Sequence, residues 1–171
     1  QGTAPLVSPA GSSTAGKNKA QLQFDARLTD PALMEIDKDR TSVTCVSGPQ
    51  KLWRTALINY PMTSGVHRWE VIVNRMTNEN VMIGVSERIN KFSGSYIGQS
   101  HGYAYFGSRP GYFTHQDSSR AYGSPLKTGD VIGVEINFDE GTLTFSCNGQ
   151  DWGAAFSGGF DDKELYPAVS L

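Results

Sequence analysis

One segment of the chain, residues 131–156, predicts three consecutive β-strands joined by two tight turns. Its first two strands, at residues 131–138 and 142–147, place apolar side chains at every second position, which is the period of a strand with unlike faces. The dipeptide Asn148-Gly149 follows the second strand and favours a type I′ hairpin turn, because both central residues of that turn need a positive φ. A three-stranded meander cannot bury its apolar face alone, so the chain must supply a second sheet to cover it.

The rest of the chain repeats this pattern of short apolar runs and turns. Further strands are predicted at residues 33–36, 41–46, 67–74, 81–86, 102–107, 112–115 and 165–171, with an apolar alternation beginning at Leu22 and Phe24. Residues 51–60 are aromatic and basic without a clear period, and residues 87–100 and 117–127 are predicted as long loops, where binding residues often lie. We therefore predict one all-β domain at residues 21–171, an antiparallel two-sheet β-sandwich.

The first twenty residues differ in composition from this domain. They are rich in proline, glycine and serine, contain no aromatic residue and carry only the charges of Lys17 and Lys19. Such a segment buries little surface on folding, so residues 1–20 are predicted to be a flexible N-terminal tail or linker. A docking arm is the alternative, and this composition favours it less.

Charge and hydropathy narrow the class of partner. The chain carries 15 Lys and Arg against 17 Asp and Glu, without the basic excess that nucleic-acid-binding domains usually show. No apolar run reaches the length of a membrane span, and no secretory pattern stands at the front. The two cysteines, Cys45 and Cys147, lie in predicted strands and are expected to be small buried hydrophobic residues rather than a disulfide. We predict an intracellular protein, cytoplasmic or nuclear.

The sequence contains no motif for catalysis. None of the three histidines, His67, His101 and His115, has a second ligand at metal-binding spacing, and there is no nucleophile elbow, phosphate loop or dinucleotide fingerprint. Several carboxylates lie in predicted turns, and Glu70 and Glu135 lie on the polar faces of predicted strands, where solvated side chains are the ordinary explanation. We predict that the protein is not an enzyme, with no catalytic residue, no metal and no cofactor.

A series of short motifs resembles the SPRY domain family. The segment GVHRWEV at residues 65–71 is similar to the GxHxWEV motif of that family. The pattern continues through the segments Ile83-Gly84-Val85, YAYFG at 103–107, Tyr122-Gly123, GDVIGV at 129–134, the hairpin at 145–149, GAAF at 153–156 and LYP at 165–167. The resemblance extends from about Phe24 onward. It implies a bent β-sandwich with concanavalin-like topology and a protein-interaction function without catalysis.

Two features depart from the family pattern. The family usually continues with another strand after the LYP segment, whereas this sequence stops at Leu171. We expect either that the sequence ends before that strand or that residues 1–20 close the edge. His101 stands where the family often has a tryptophan before Gly102, which implies an altered partner surface.

The resemblance also indicates which loops face a partner. By order along the chain, these loops correspond to residues 47–54 and 88–96. The predicted partner-binding residues are Trp53, Arg54, Lys91, Phe92 and Tyr96. The two cations are expected to be exposed, Tyr96 is expected to favour contact, and packing and contact stay open for Trp53 and Phe92.

Other aromatic residues are assigned to the structure itself. Trp69, Tyr122 and Phe145 are predicted to be in the core, and Trp152 is predicted to pack against a sheet face. For His67 we expect a structural hydrogen-bonding role.

These inferences predict a non-catalytic protein–protein interaction module that recognises a short segment of a partner protein through surface loops. The expected ligand is a protein or peptide, with no membrane, and the composition favours a nucleic acid less. The domain is expected to be monomeric within a larger protein or complex. A carbohydrate-binding, lectin-like domain is one alternative, because lectins share the architecture. An RNA-associated module is the other, because SPRY domains occur in RNA-processing proteins.

Overall fold

Strands dominate the computed structural model, which describes residues 6–11, 22–46, 52–76, 80–90, 94–99, 101–108, 111–116 and 118–171. The strands in chain order are β1 (Leu6–Gly11), β2 (Phe24–Thr29), β3 (Met34–Ile36), β4 (Val43–Cys45), β5 (Thr55–Ile58), β6 (Val66–Arg75), β7 (Met82–Ser86), β8 (Gly102–Phe106), β9 (Tyr112–His115), β10 (Ser118–Ala121), β11 (Val131–Asn137), β12 (Thr142–Cys147), β13 (Gln150–Ser157) and β14 (Tyr166–Ser170). Across these ranges, no helix is long and apolar enough to cross a membrane.

The strands form two antiparallel sheets of seven strands each. The first has the order β13-β12-β11-β6-β1-β4-β3, and the second has the order β10-β9-β8-β7-β14-β5-β2. Apolar side chains from both sheets meet in one large buried cluster. The predicted all-β, two-sheet sandwich is therefore confirmed.

The meander at β11, β12 and β13 has the predicted register. Val134 lies opposite Phe145 on one side and Trp69 on the other, and all three side chains are buried. In the hairpin turn, Asn148 has φ +51° and Gly149 has φ +82°, as a type I′ turn requires. The core assignments of Trp69 and Phe145 are confirmed.

Tyr122 and Trp152 are half-buried against this core. The Tyr122 hydroxyl donates to the carbonyl oxygen of Gly153 at 2.6 Å and accepts from the amide of Phe145 at 3.2 Å. The ring of Trp152 lies 5.0 Å from that of Tyr105, between centroids. Both residues thus connect the meander to the second sheet. Trp152 packs as predicted, whereas Tyr122, which was predicted to be in the core, is half-buried at its margin.

His67 has the structural role expected of it. Its Nε2 lies 2.8 Å from the carbonyl oxygen of Ser64, and its Nδ1 lies 3.4 Å from the hydroxyl of Tyr60. The ring also packs edge-on against Tyr60 and Phe138. These contacts hold the turn that precedes β6.

The structure differs from the sequence prediction in the segment predicted as a tail or linker. Six of its residues form β1, which pairs with β6 from Leu6 to Gly11 and with β4 at Leu6 and Val7. A strand in this position is held by backbone pairing with both neighbours, which composition alone does not reveal. Residues 1–5 and 12–21 lie outside the described residues.

Two further strands lie in segments for which the sequence predicted none. β10 lies within the predicted loop 117–127, and all four of its side chains are exposed. It therefore has no apolar alternation that would indicate a strand. β5 lies within the unassigned segment 51–60, and all four of its side chains are buried, so it shows no alternation. Strands in the centre of a sheet covered on both faces commonly have this continuous pattern.

Candidate functional site

The strands β5, β7 and β14 of the second sheet are buried on both faces. Their inward side chains belong to the core, whereas Leu57, Met82 and Ala168 point outward and are also buried. The outward cluster consists of Leu28, Leu57, Met82, Ile97, Ala104, Tyr166 and Ala168, with Trp53, Ile89, Tyr96 and Phe106 packed against it. The face of the sheet turned away from the core is therefore covered by other parts of the chain.

The cover over this face is the segment 94–99, which a buried hydroxyl chain holds in place. The Thr55 hydroxyl donates to the carbonyl oxygen of Ser95 at 2.8 Å, so the Ser170 hydroxyl, 2.8 Å away, must donate to Thr55. Ser170 in turn accepts from the amide of Ile97 at 3.1 Å. Both hydroxyl residues are completely buried, and these bonds fix the segment to β5 and β14.

Close approach to β9 fixes the same segment at its other end. A Cβ atom at Gly98 would lie 2.4 Å from Cγ2 of Thr114, well inside contact distance. Only glycine lets the backbone run this near to the strand. The position of neighbouring Tyr96 is thus set by rigid elements on both sides.

Four half-buried aromatic rings form a continuous surface beside this cover. The ring centroid of Trp53 lies 5.8 Å from that of Tyr96 and 5.6 Å from that of Phe106, and Phe106 lies 6.3 Å from Tyr112. We name Trp53, Tyr96, Phe106 and Tyr112 the aromatic surface. Leu52, next to it in the chain, is 44% exposed and is one of the two exposed large hydrophobic residues of the described chain.

Arg54 holds the backbone of Trp53 in place through hydrogen bonds. Its Nη1 donates to the carbonyl oxygens of Leu52 at 2.7 Å and Trp53 at 3.1 Å. The Trp53 oxygen also accepts from the amide of Gly94 at 2.8 Å, which joins the two loops predicted to face a partner. Backbone bonds in both directions connect Arg54 to Leu171.

The expectation that Arg54 is exposed is wrong, since only 3% of the residue is accessible. Side chains alternate along an extended strand, so Arg54 shares a face with Ala56 and Ile58, which lie in the core. Its Nε lies 3.2 Å from Oδ2 of Asp30, a carboxylate that is buried as well. The charge is therefore inside the sandwich and paired, and it cannot meet a partner directly.

The other predicted site residues have different outcomes. Trp53 and Tyr96 are brought together at the aromatic surface, half-buried and partly accessible. Lys91 and Phe92 lie outside the described residues. Phe106 and Tyr112 were missed, although Phe106 follows Ala104 by two residues and so shares its outward face. The two-residue alternation along β8 is the sequence feature that places Phe106 on the outward face.

Burial and a few hydrogen bonds shift the pKa of groups in both sheets. The Tyr166 hydroxyl donates to the carboxylate of Glu164, and this bond raises the pKa of Tyr166. Burial raises the pKa of the Cys45 and Cys147 thiols, both of which are free. Among the residues that the structure describes, no three His, Cys, Asp or Glu side chains are grouped so that they could hold a metal ion.

Comparison with known proteins identifies the family. The SPRY domain family model matches residues 66–171, more than half of the chain. The chain belongs to the SPRY domain family. Solved structures agree in fold: the SPRY domain of human HERC1 superimposes with a TM-score of 0.70 at 23% identity, covering 86% of this chain and 89% of that one. The TRIM65 PSpry domain gives a TM-score of 0.64 at 20% identity, covering 86% and 83%.

Two curated relatives that resemble this chain are much longer proteins. The chain is 29% identical to the Dictyostelium discoideum protein named "Probable ATP-dependent RNA helicase ddx1", over 98% of this chain and 21% of that protein. It is 34% identical to the Drosophila melanogaster "Ran-binding proteins 9/10 homolog", over 65% of this chain and 11% of that protein. The chain thus spans about a fifth or less of either relative. Family membership supports a protein-interaction module.

Proposed function

We propose that this SPRY domain is a non-catalytic module that binds a short segment of a partner protein on the aromatic surface. The observation that carries the proposal is the continuity of four partly accessible rings, from Tyr96 through Trp53 and Phe106 to Tyr112. Tryptophan and tyrosine are overrepresented among binding hot spots because each offers a large apolar area with few rotatable bonds. An aromatic surface of this kind suits a small number of strong contacts.

The backing of the surface supports the same function. Leu57, Met82 and Ala168 form a packed layer against which Trp53, Tyr96 and Phe106 lie. Phe106 and Tyr112 belong to strands of the sheet, and the loops that carry Trp53 and Tyr96 pack on it. A binding surface that is already ordered does not lose conformational entropy on association. We infer that the rigid second sheet and the hydroxyl chain of Thr55 and Ser170 serve to preorganise this surface.

The proposal extends to the predicted loop residues and to cellular setting. Lys91 and Phe92 belong to the same loop as Tyr96, and we propose that they extend the contact area. Arg54 acts as a positioning residue through the carbonyl oxygen of Trp53 rather than as a contact. We propose an intracellular setting, cytoplasmic or nuclear, which the two free cysteines support, and a monomeric domain within a longer protein.

Affinity purification with the 171-residue chain as bait, followed by calorimetry against the captured partner, tests the proposal. Tyr96→Ala and Lys91→Glu should each weaken binding, by lost aromatic area and by reversed charge, with little change in melting temperature. Val66→Ala is the matched control, because Val66 is an exposed apolar residue on the other sheet. Equal affinity in the parent and both loop variants would place the partner elsewhere.

A second candidate, an RNA-associated role, is favoured by the similarity to the RNA helicase over nearly the whole chain. Aromatic rings can also stack on unpaired bases. The near-neutral charge weighs against it, because RNA affinity rests largely on cationic contacts with phosphates. A salt-dependent RNA shift that Trp53→Ala abolishes would favour this role over peptide binding. Glycan binding on an array, with and without calcium, would instead favour the lectin-like alternative.

A further inference from the structure

The rings of the aromatic surface are inclined to one another. The planes of Trp53 and Tyr96 meet at 48°, those of Trp53 and Phe106 at 74°, and those of Phe106 and Tyr112 at 33°. Rings inclined in this way do not form one flat platform. A sugar or a base is best held by an open flat face, so this arrangement suits a ligand with compact apolar groups better.

Two hydrogen-bond donors on this surface have no partner in the described part of the chain. Neither the indole N–H of Trp53 nor the hydroxyl of Tyr112 takes part in a hydrogen bond there, and neither atom is among the buried unsatisfied groups. Both donors are therefore accessible to solvent. A ligand that offers carbonyl oxygens beside apolar groups would satisfy them.

The four side chains of the aromatic surface carry no charge. An uncharged segment can therefore pack on these rings without burying a charge that lacks a partner.

The position of the surface excludes two other binding modes. Phe106 and Tyr112 project from the face of paired strands β8 and β9, not from an open strand edge, so the rings themselves offer no backbone ladder to an added strand. Three ring contacts near 6 Å join the four rings one to the next, whereas an amphipathic helix needs an apolar groove. A narrow, extended and already rigid ligand fits best.

We propose that the aromatic surface binds a proline-rich segment in the polyproline II conformation. Proline rings are compact, apolar and uncharged, so they can pack against inclined aromatic rings. The polyproline II helix has no internal hydrogen bonds, so its carbonyl oxygens are available to the Trp53 and Tyr112 donors. Its low conformational entropy also suits a small rigid surface. This inference rests on the proposed function and names the chemistry of the partner segment.

The test uses the 171-residue chain and synthetic peptides, measured by calorimetry. An uncharged ten-residue oligoproline and twelve-residue peptides with Pro-X-X-Pro spacing should bind, whereas a glycine–serine peptide of equal length should not. Trp53→Ala should weaken oligoproline binding by about tenfold or more, as expected for a hot-spot tryptophan. Tyr112→Phe, which removes one hydroxyl, should weaken it roughly three- to tenfold. Val66→Ala should change nothing.

Two further measurements separate misfolding from lost contacts. Trp53→Phe keeps an aromatic ring in the cluster but deletes the donor, so it should retain the parent melting temperature more closely than Trp53→Ala while still losing affinity. Backbone amide shifts on titration should cluster around Trp53, Phe106 and Tyr112. Binding that ignores Trp53→Ala in a folded variant would overturn the proposed site.

Failure of this inference can be told from failure of the proposed function. If the proline peptides do not bind while a captured partner does, and Tyr96→Ala weakens that partner, the ligand class is wrong and the surface is right. If variants of the aromatic surface bind both the peptides and the captured partner with the parent affinity, both proposals are wrong.

Discussion

The guanidinium of Arg54 and the carboxylate of Asp30 form an ion pair inside the sandwich, with Nε 3.2 Å from Oδ2 and both side chains almost completely buried. Neither of these two atoms has a hydrogen bond of good geometry within the described residues. The same guanidinium holds the carbonyl oxygens of Leu52 and Trp53. One buried cation thus links the end of β2, the start of β5 and the backbone of the aromatic surface.

Removing one partner of this ion pair should destabilise the domain strongly. We expect Asp30→Ala to lower the free energy of unfolding by about 3–5 kcal/mol, because it leaves a buried charge without compensation. Urea denaturation measures the loss. Arg68→Ala is the control, since Arg68 and Glu135 form an exposed ion pair that should contribute about 1 kcal/mol or less.

An apolar replacement of both partners distinguishes charge from packing. Arg54→Met combined with Asp30→Leu should be more stable than Asp30→Ala alone, because no unpaired charge remains. The double variant should still bind partner more weakly than the parent, since Trp53 loses its positioning bonds. A double variant as unstable as the single one would contradict this account.

Trp69→Ala should empty a large site between the sheets. The side chain is 3% exposed and lies opposite Val134 in the meander. We expect a loss of about 3–5 kcal/mol in the free energy of unfolding, the usual range for a buried aromatic residue. Glu70→Ala, at the next position and exposed, should leave the melting temperature within a few degrees of the parent. Equal melting temperatures for the two variants would refute the register of β6.

Gly98→Ala should displace the cover segment from β9. The added methyl group would meet Thr114, and overpacking of this kind typically costs about 1–3 kcal/mol. Combining it with Thr114→Ala, which removes the nearest atoms, should restore part of the loss in a double-mutant cycle. Additive losses in the cycle would show that Thr114 is not what restricts position 98.

Alkaline pH should destabilise the domain through its tyrosines. Burial raises the pKa of Tyr122 to about 12, and burial also raises the pKa of Tyr103 and Tyr105. In the unfolded chain these groups ionise near pH 10. The folded state therefore loses stability as pH rises from about 10 towards 12, because only the unfolded chain releases the protons there.

Tyr122→Phe tests this pH dependence. At neutral pH the variant should be less stable by about 0.5–1.5 kcal/mol, because it loses the hydrogen bond to Gly153. Between pH 10 and 12 its melting temperature should fall less steeply than that of the parent. Parallel curves for the two proteins would show that Tyr122 does not contribute to the alkaline loss.

The part of the fold that the sequence predicts well is the part with one apolar and one polar face. The meander around Val134 alternates cleanly because its outer face meets water. β5 does not alternate, since the segment 94–99 and Trp53 cover its outer face. The apolar periodicity of a single strand cannot predict that a segment distant in the sequence covers its outer face.

The candidate site, like the fold, can be predicted from the sequence only in part. The family resemblance places Trp53 and Tyr96 in loops that face a partner, and aromatic residues in such loops often form binding contacts. Phe106 and Tyr112 are not predicted as site residues, because aromatic residues in strands are usually core residues. Arg54 is misplaced because an arginine beside a tryptophan suggests a surface, whereas the period of β5 carries it inward to a carboxylate distant in the sequence.

The place of β14 between β7 and β5 has a consequence for biosynthesis. A ribosome delivers β5 and β7 long before residues 166–170, and until those residues emerge the second sheet remains in two halves. Ser170, which anchors Ile97 and hence the loop of Tyr96, arrives at the same late moment. Chains that lack these residues also lack the Ser170 bond that anchors the loop of Tyr96. We therefore expect the proposed partner to bind strongly only after translation has passed this strand.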